Sequence, residues 1–155
     1  MKRKLSLEER IVRLISKSWY TRKKLREKLI AEGYPENAIE EYLQFFAQDG
    51  YLDDEFFMKT YLEEKRRCNP RGFWAYKMEL ERLGIEEDLI NQLRNTYFPV
   101  SEEVKDGINL IRKWFQEGET NREKIIQRLA RKGFSFEIAE WSWAQFQADQ
   151  KGELP

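Results

Sequence analysis

Few side chains in this sequence could make or break bonds. Asp53-Asp54 is the carboxylate pair that most invites a catalytic reading, as acid and base or as metal ligands. Asp is also a preferred residue just before a helix, where it accepts from exposed N–H groups and complements the dipole, and the apolar pattern predicts a helix beginning near Glu55. Capping is therefore the expected role of Asp53 and Asp54. Cys68 has Arg66, Arg67 and Arg71 close in sequence, but it has no partner base. The chain contains no histidine, which removes Ser-His and Cys-His nucleophiles and histidine zinc sites. A single cysteine removes four-thiolate metal centres as well. The expectation is a protein that is not an enzyme, with no metal and no cofactor.

What remains chemically is charge. The 155 residues carry 28 Lys+Arg against 28 Asp+Glu; 36% are charged and 14% aromatic. That aromatic content is too high for a disordered tail. No apolar run approaches the ~18 residues of a membrane span. The start, Met1-Lys2-Arg3-Lys4, leads into an amphipathic segment rather than an apolar signal core. With one thiol and no possible intrachain disulfide, a cytoplasmic location is expected.

The elements that position the charges form a repeat. Gly33, Gly84 and Gly133 are spaced by 51 and 49 residues. Leu29, Leu80 and Leu129 stand four positions before them, and Leu25, Tyr76 and Ile125 eight before. Tyr34, Ile85 and Phe134 follow immediately; Ala38-Ile39, Leu89-Ile90 and Ile138-Ala139 come five and six later; Phe46, Tyr97 and Phe146 come thirteen later. Seven aligned columns mark a triplicated unit. Each reads as helix, glycine stop, helix, because Leu25/Leu29 and Ile125/Leu129 share a helical face and Gly supplies a left-handed C-terminal residue. A further helix precedes each pair, through Ile11, Leu14 and Ile15; through Phe57, Tyr61 and Leu62; and through Val104, Ile108, Ile111 and Phe115. Start signals are Ser6-x-x-Glu9 and Thr120-x-x-Glu123, both capping boxes, and Asn69-Pro70 as cap and first helical residue. The prediction is all-α: three tandem three-helix repeats, over residues 1–50, 51–99 and 100–150, in an elongated, curved array. Units this small must pack on one another, and several of the five Trp are expected to fill cores and junctions.

Cut at the repeat glycines, the zero net charge becomes +7 over residues 1–33, −8 over 34–64, +4 over 65–82, −4 over 83–104, +4 over 105–133 and −3 over 134–155. Each unit is basic up to its glycine and acidic after it. The basic middle helices carry Arg22, Lys23, Lys24, Arg26 and Lys28, then Arg71, Lys77 and Arg82, then Arg122, Lys124, Arg128, Arg131 and Lys132. These are the candidate contacts to nucleic acid or an acidic protein surface, against the plainer alternative that they pair with neighbouring acidic helices. A helix-turn-helix reader is disfavoured, since the helix after the first turn carries Glu36, Glu40 and Glu41 where a recognition helix would meet phosphates.

The segment Gly50-Tyr51-Leu52-Asp53-Asp54, with Phe57 and Tyr61 following, resembles the signature of the bacterial RecX regulatory proteins. Arg71-Gly72, Tyr76, Glu79-Leu80 and Gly84-Ile85 match the next part of that family's pattern; Arg128-Leu129 and Arg131-Lys132-Gly133-Phe134-Ser135 match its closing motif. The resemblance covers roughly residues 10–147, and the family's fold is three tandem three-helix repeats. It implies a modulator, usually an inhibitor, of the RecA recombinase that lies in the groove of the RecA–DNA filament and dampens extension, strand exchange and ATP hydrolysis. Some such proteins also bind single- or double-stranded DNA directly. Lys24 departs from the pattern, standing where an acidic residue is expected. The expected partners are thus the RecA filament and DNA, with the protein itself a monomer and not membrane-bound. A stand-alone DNA-binding module and a helical-repeat adaptor for another protein are the alternatives.

Overall fold

A computed structural model describes residues 4–152. Among these the secondary structure is helical throughout: α1 Leu7–Lys17, α2 Arg22–Ala31, α3 Glu36–Gln48, α4 Asp54–Cys68, α5 Phe73–Leu83, α6 Glu87–Tyr97, α7 Val100–Gln116, α8 Arg122–Arg131 and α9 Phe136–Gly152. Local signals set most boundaries. Ser6 caps α1 by accepting from the Glu9 N–H at 3.2 Å, and Asp53 caps α4 by accepting from Phe56 N–H at 3.0 Å. Gly33, Gly84 and Gly133 end the middle helices with φ of +92°, +106° and +98°. Two start signals fall elsewhere. Asn121, not Thr120, caps α8, by accepting from Lys124 N–H at 3.0 Å. Asn69 closes α4 instead of opening α5, which begins at Phe73 after Gly72. Pro70 sits in the connection, where its fixed φ and missing N–H suit a turn as well as a helix start.

Each helix triplet encloses its own apolar cluster. The first contains Ile11, Leu25, Leu29, Ile39, Leu43 and Phe46 and takes in Leu52 from the turn after α3. The second is built on Met58, Leu62, Tyr76, Leu80, Ile90 and Phe98. The third contains Ile111, Trp114, Ile125, Leu129, Phe134, Trp143 and Phe146. There α7 and α9 approach closely because Gly107 faces Ser142, whose hydroxyl donates to Ile138 O at 2.8 Å. Of the five Trp only Trp114 and Trp143 are buried; Trp19, Trp74 and Trp141 are 66%, 57% and 49% exposed. Trp19 stands in the connection between α1 and α2, its ring 5.2 Å from that of Phe56, while Trp74 and Trp141 are on α5 and α9.

The units stack through their middle helices, end to end. The Gly72 N–H donates to Lys132 O at 2.9 Å, which sets the start of α5 on the end of α8. The Thr21 hydroxyl, which also caps α2, donates to Leu83 O, which sets the start of α2 on the end of α5. The accessible surface of 10264 Å² exceeds the ~8,300 Å² expected for a compact 18.9 kDa monomer, as stacking in a row requires.

Candidate functional site

The junctions explain the tempting carboxylates. Asp54 accepts the backbone N–H of Arg22 at 3.1 Å, and Glu103 accepts that of Phe73 at 2.8 Å. Arg22 and Phe73 each stand eleven residues before their repeat glycine, and Asp54 and Glu103 each stand thirty before theirs. The device is therefore repeated: a carboxylate on the first helix of one unit satisfies an orphan N–H at the start of the preceding unit's middle helix. Burial raises the Asp54 carboxyl above its ordinary pKa, against the pull of the Arg22 N–H and guanidinium. Asp53 faces its own helix and Asp54 a neighbouring one, so the pair is divided between two structural tasks. Capping is the role expected of both; the helix that Asp54 serves is α2, thirty-two residues away in sequence. Among the described residues, no group of three or more His, Cys, Asp or Glu is arranged to hold a metal ion.

Glu103 does more than cap. It is 1% exposed and also takes the Arg94 guanidinium at 2.5 Å, while Arg94 stacks 4.0 Å from the Phe73 ring centroid. Burial pushes the Glu103 carboxyl above the usual carboxylate value despite the lowering by Phe73 N–H and Arg94. Beside it Arg66 of α4 grips Asp106 of α7 with two bonds, 2.8 and 3.1 Å, reaches Glu102 at 3.3 Å, and lies 4.6 Å from the Phe98 ring. Repeats 2 and 3 are thus held by charge as well as by backbone.

The cations of the middle helices divide into two sets. On the flank facing the third helix the cations are paired. Arg26 bonds Glu40 and reaches Glu36 at 3.7 Å; Arg22 reaches Glu40 at 3.7 Å; Lys77 bonds Glu87 at 2.9 Å; Arg122 bonds Glu140. These contacts recur at fixed offsets from the glycine: Arg22–Glu40 matches Arg122–Glu140, and Arg26–Glu36 matches Lys77–Glu87. Lys77 holds the exposed Glu87 below its ordinary carboxylate pKa. For these four cations the plainer alternative holds, and the track expected along each middle helix is interrupted wherever an acidic helix lies beside it. Because both partners are exposed, replacing Arg26 or Glu40 by alanine should cost no more than about 1 kcal/mol, with a coupling of about 0.5 kcal/mol in a urea-denaturation double-mutant cycle.

Other cations are left over. Among the described residues Lys23, Lys28, Arg82, Lys124, Arg128, Arg131 and Lys132 have no carboxylate within ion-pair distance, whereas Lys24 has Glu27 at 3.5 Å and Arg71 has Glu79 at 3.7 Å. The leftover set does not run evenly through the stack. Lys28 and Arg128 occupy equivalent positions five before the glycine, but repeat 2 has Glu79 there. Lys23 lies against Gly84 through its stem, leaving the amine exposed. Lys113 of α7, which sequence reasoning did not single out, joins Arg128 and Lys132 beside the second junction. Nothing in its local sequence marked it, since it gains significance only from its neighbour α8.

The motif residues prove structural with one exception. Gly50 makes the turn after α3 with φ +82°, Leu52 and Tyr61 are buried, Phe57 packs against the second core, and Gly84 and Gly133 receive the preceding unit's middle helix. Tyr51 is 66% exposed, its ring edge 6.1 Å from Phe46 by centroids. No helix among the described residues is long and apolar enough to cross a membrane.

No family model matches the chain. Among curated proteins it is 34% identical over 125 residues to the regulatory protein RecX of Bacillus pumilus, covering 75% of this chain and 46% of that protein. With the regulatory protein RecX of Leuconostoc mesenteroides it shares 29% identity over 130 residues, covering 81% and 49%. The chain thus spans about half the length of these curated relatives. A crystal structure of RecX from Lactobacillus salivarius superposes with a TM-score of 0.79, at 21% identity over 88% of this chain and 92% of that one. A second crystal structure, of a regulatory protein RecX, gives 0.71 at 23% identity over 85% and 67%. These two share the all-helical fold. The signature from Gly50 to Tyr61, the repeat glycines at the junctions and these likenesses agree: the chain belongs to the RecX family.

Proposed function

We propose that this chain regulates the RecA recombinase, as an inhibitor that lies along the RecA–DNA filament and limits its extension, strand exchange and ATP hydrolysis. Family membership carries the reading, because that is the activity the resemblance implies. The arrangement of charge supports it. A neutral molecule that leaves Lys28, Lys124, Arg128 and Lys132 of its middle-helix segments without carboxylate partners can approach a phosphate backbone through them, while acidic third helices remain available to a protein surface. A row of stacked units also suits a long groove better than a compact globule does.

Co-sedimentation with RecA on single-stranded DNA and a RecA ATPase assay test this. At stoichiometric protein, the chain should pellet with the filament and slow ATP hydrolysis severalfold; the absence of both effects would overturn the proposal. Lys28→Glu combined with Lys124→Glu should weaken filament binding, while Arg26→Glu, which removes an internally paired cation, should weaken it less. The unpaired cations also favour a second reading, direct binding to free DNA without sequence preference. Phosphate-driven binding of that kind falls steeply with salt, so a flat salt response would exclude it.

A further inference from the structure

Four cations from three elements meet where repeat 2 sits on repeat 3. Arg128 and Lys132 are one turn apart at the end of α8, and the Arg128 guanidinium lies 4.4 Å from the Trp114 ring of α7, next to Lys113. Lys132 extends its amine to within 3.4 Å of the Asn69 side-chain oxygen, and Arg71 follows two residues later. The arrangement is held in place by its backbone. Lys132 O is fixed by Gly72 N–H at 2.9 Å, and the Tyr76 hydroxyl accepts Arg71 N–H at 2.9 Å while donating to Asn69 O at 3.3 Å.

Acceptors are scarce in this corner. Glu79, 3.7 Å from Arg71, is the carboxylate within ion-pair reach of the four among the described residues. Asn69 offers one neutral carbonyl for two cations: in one orientation it serves Lys132, and with its amide turned over it would accept from Arg71 at 2.9 and 3.0 Å. Lys132 is partly buried. Burial lowers its amine below the ordinary lysine pKa, and Arg71, Lys113 and Arg128 lower it further. Arg22, Arg26, Lys77 and Arg122 are each paired with the acidic helix of their own unit; here the fold gathers four cations and supplies one acid.

We infer that the junction formed by Lys113, Arg128, Lys132 and Arg71 is a phosphate-binding site that holds the phosphodiester backbone of a nucleic-acid strand. An anion's oxygens would supply the missing acceptors, with the Arg128 fork suited to two of them and the lysines acting as point charges. The Trp114 ring keeps the guanidinium from folding away. Two elements of the site come from repeat 3 and one from the loop entering α5, so the site exists only while the junction is docked. The inference rests on the nucleic-acid part of the function proposed above and gives it an address.

The test is fluorescence anisotropy of a labelled oligo(dT) with the full chain, without RecA, over a salt series. Lys113→Gln, Arg128→Gln and Lys132→Gln combined should weaken binding at least tenfold at low salt. The slope of log K against log salt should fall by about 2, at ~0.7 for each single-strand phosphate no longer neutralised. Lys28→Gln combined with Arg82→Gln, two unpaired cations outside the cluster, should change the slope by less. Removing mutually repelling cations should leave the thermal midpoint unchanged or raised, and oligo(dT) should raise it only in the parent chain. Unaltered affinity and slope in the triple variant, or equal weakening in the control, overturns the site. If the parent chain binds no oligo(dT) yet pellets with RecA filaments, the site is overturned while the proposed regulation stands. If the triple variant keeps its oligo(dT) affinity but no longer pellets, the cluster touches protein, and the phosphate assignment is again overturned.

Discussion

Gly72→Ala is expected to undock repeat 3 from repeat 2. A Cβ at Gly72 would stand 2.2 Å from both the carbonyl carbon of Gly133 and the nitrogen of Phe134. Those are backbone atoms, so no rotamer change relieves the clash, and the Gly72 N–H bond to Lys132 O must be given up as the helices move apart. Overpacking of this kind costs roughly 3 kcal/mol or more. Because the damage is at an interface between units with separate cores, urea denaturation followed by tryptophan fluorescence should show a broadened or split transition with a reduced m-value. Gly118→Ala is the control: φ there is +101° with nothing within 4 Å of the added carbon, so only the left-handed penalty of ~1 kcal/mol applies. A single sharp transition for Gly72→Ala, displaced no further than that of Gly118→Ala, would contradict the end-to-end stacking of α5 on α8.

Glu103→Ala carries the second large effect. It strips the buried Phe73 N–H of its acceptor and leaves the Arg94 guanidinium, whose Nε already lacks a partner, without its counter-charge. Removing one member of such a buried pair costs about 3 kcal/mol. Glu103→Gln keeps an acceptor for Phe73 and should cost less than half as much. The two also separate by pH. Burial raises the Glu103 pKa in the folded chain above its ordinary 4.5, so between these values the native state holds more protons than the unfolded one. Stability from this group is therefore fully present below about 4.5 and lost as pH rises through the folded value. The stability of the parent chain relative to Glu103→Gln should rise as pH is lowered through that window in parallel urea titrations. A difference that stays constant with pH would show that Glu103 does not titrate there.

The sequence carried the local architecture almost completely. Apolar residues at helical spacing around Gly33, Gly84 and Gly133 located every helix pair, because core-facing periodicity is written in each segment by itself. Misplaced starts were local too: Thr120 and Asn121 are both good caps, and the choice between them depends on a single N–H direction. Asp54 and Glu103 were harder to read. Their common offset of thirty from a repeat glycine was there in the sequence, yet an acid just before or just inside a helix has an adequate explanation in its own helix. Only the stacked neighbour reveals that Asp54 serves Arg22 and Glu103 serves Phe73.

Charge makes the same division. From the sequence alone came the triplicated helical unit, the alternation of basic middle and acidic third helices, and the absence of histidine chemistry. Which cations cancel and which remain was decided by the tertiary structure. Arg26 and Arg128 look alike along the chain, but Arg26 faces α3 and its Glu40, whereas Arg128 faces Trp114 and Lys113 of α7. Helical phase places a side chain on a flank; what that flank meets depends on how neighbouring helices are rotated and stacked, set by contacts such as Gly72 on Gly133 between residues sixty-one apart in sequence. Salt screens exposed charges separated by more than roughly 10 Å, so a neutral sum over the whole chain could hide a corner where four cations meet a single acid.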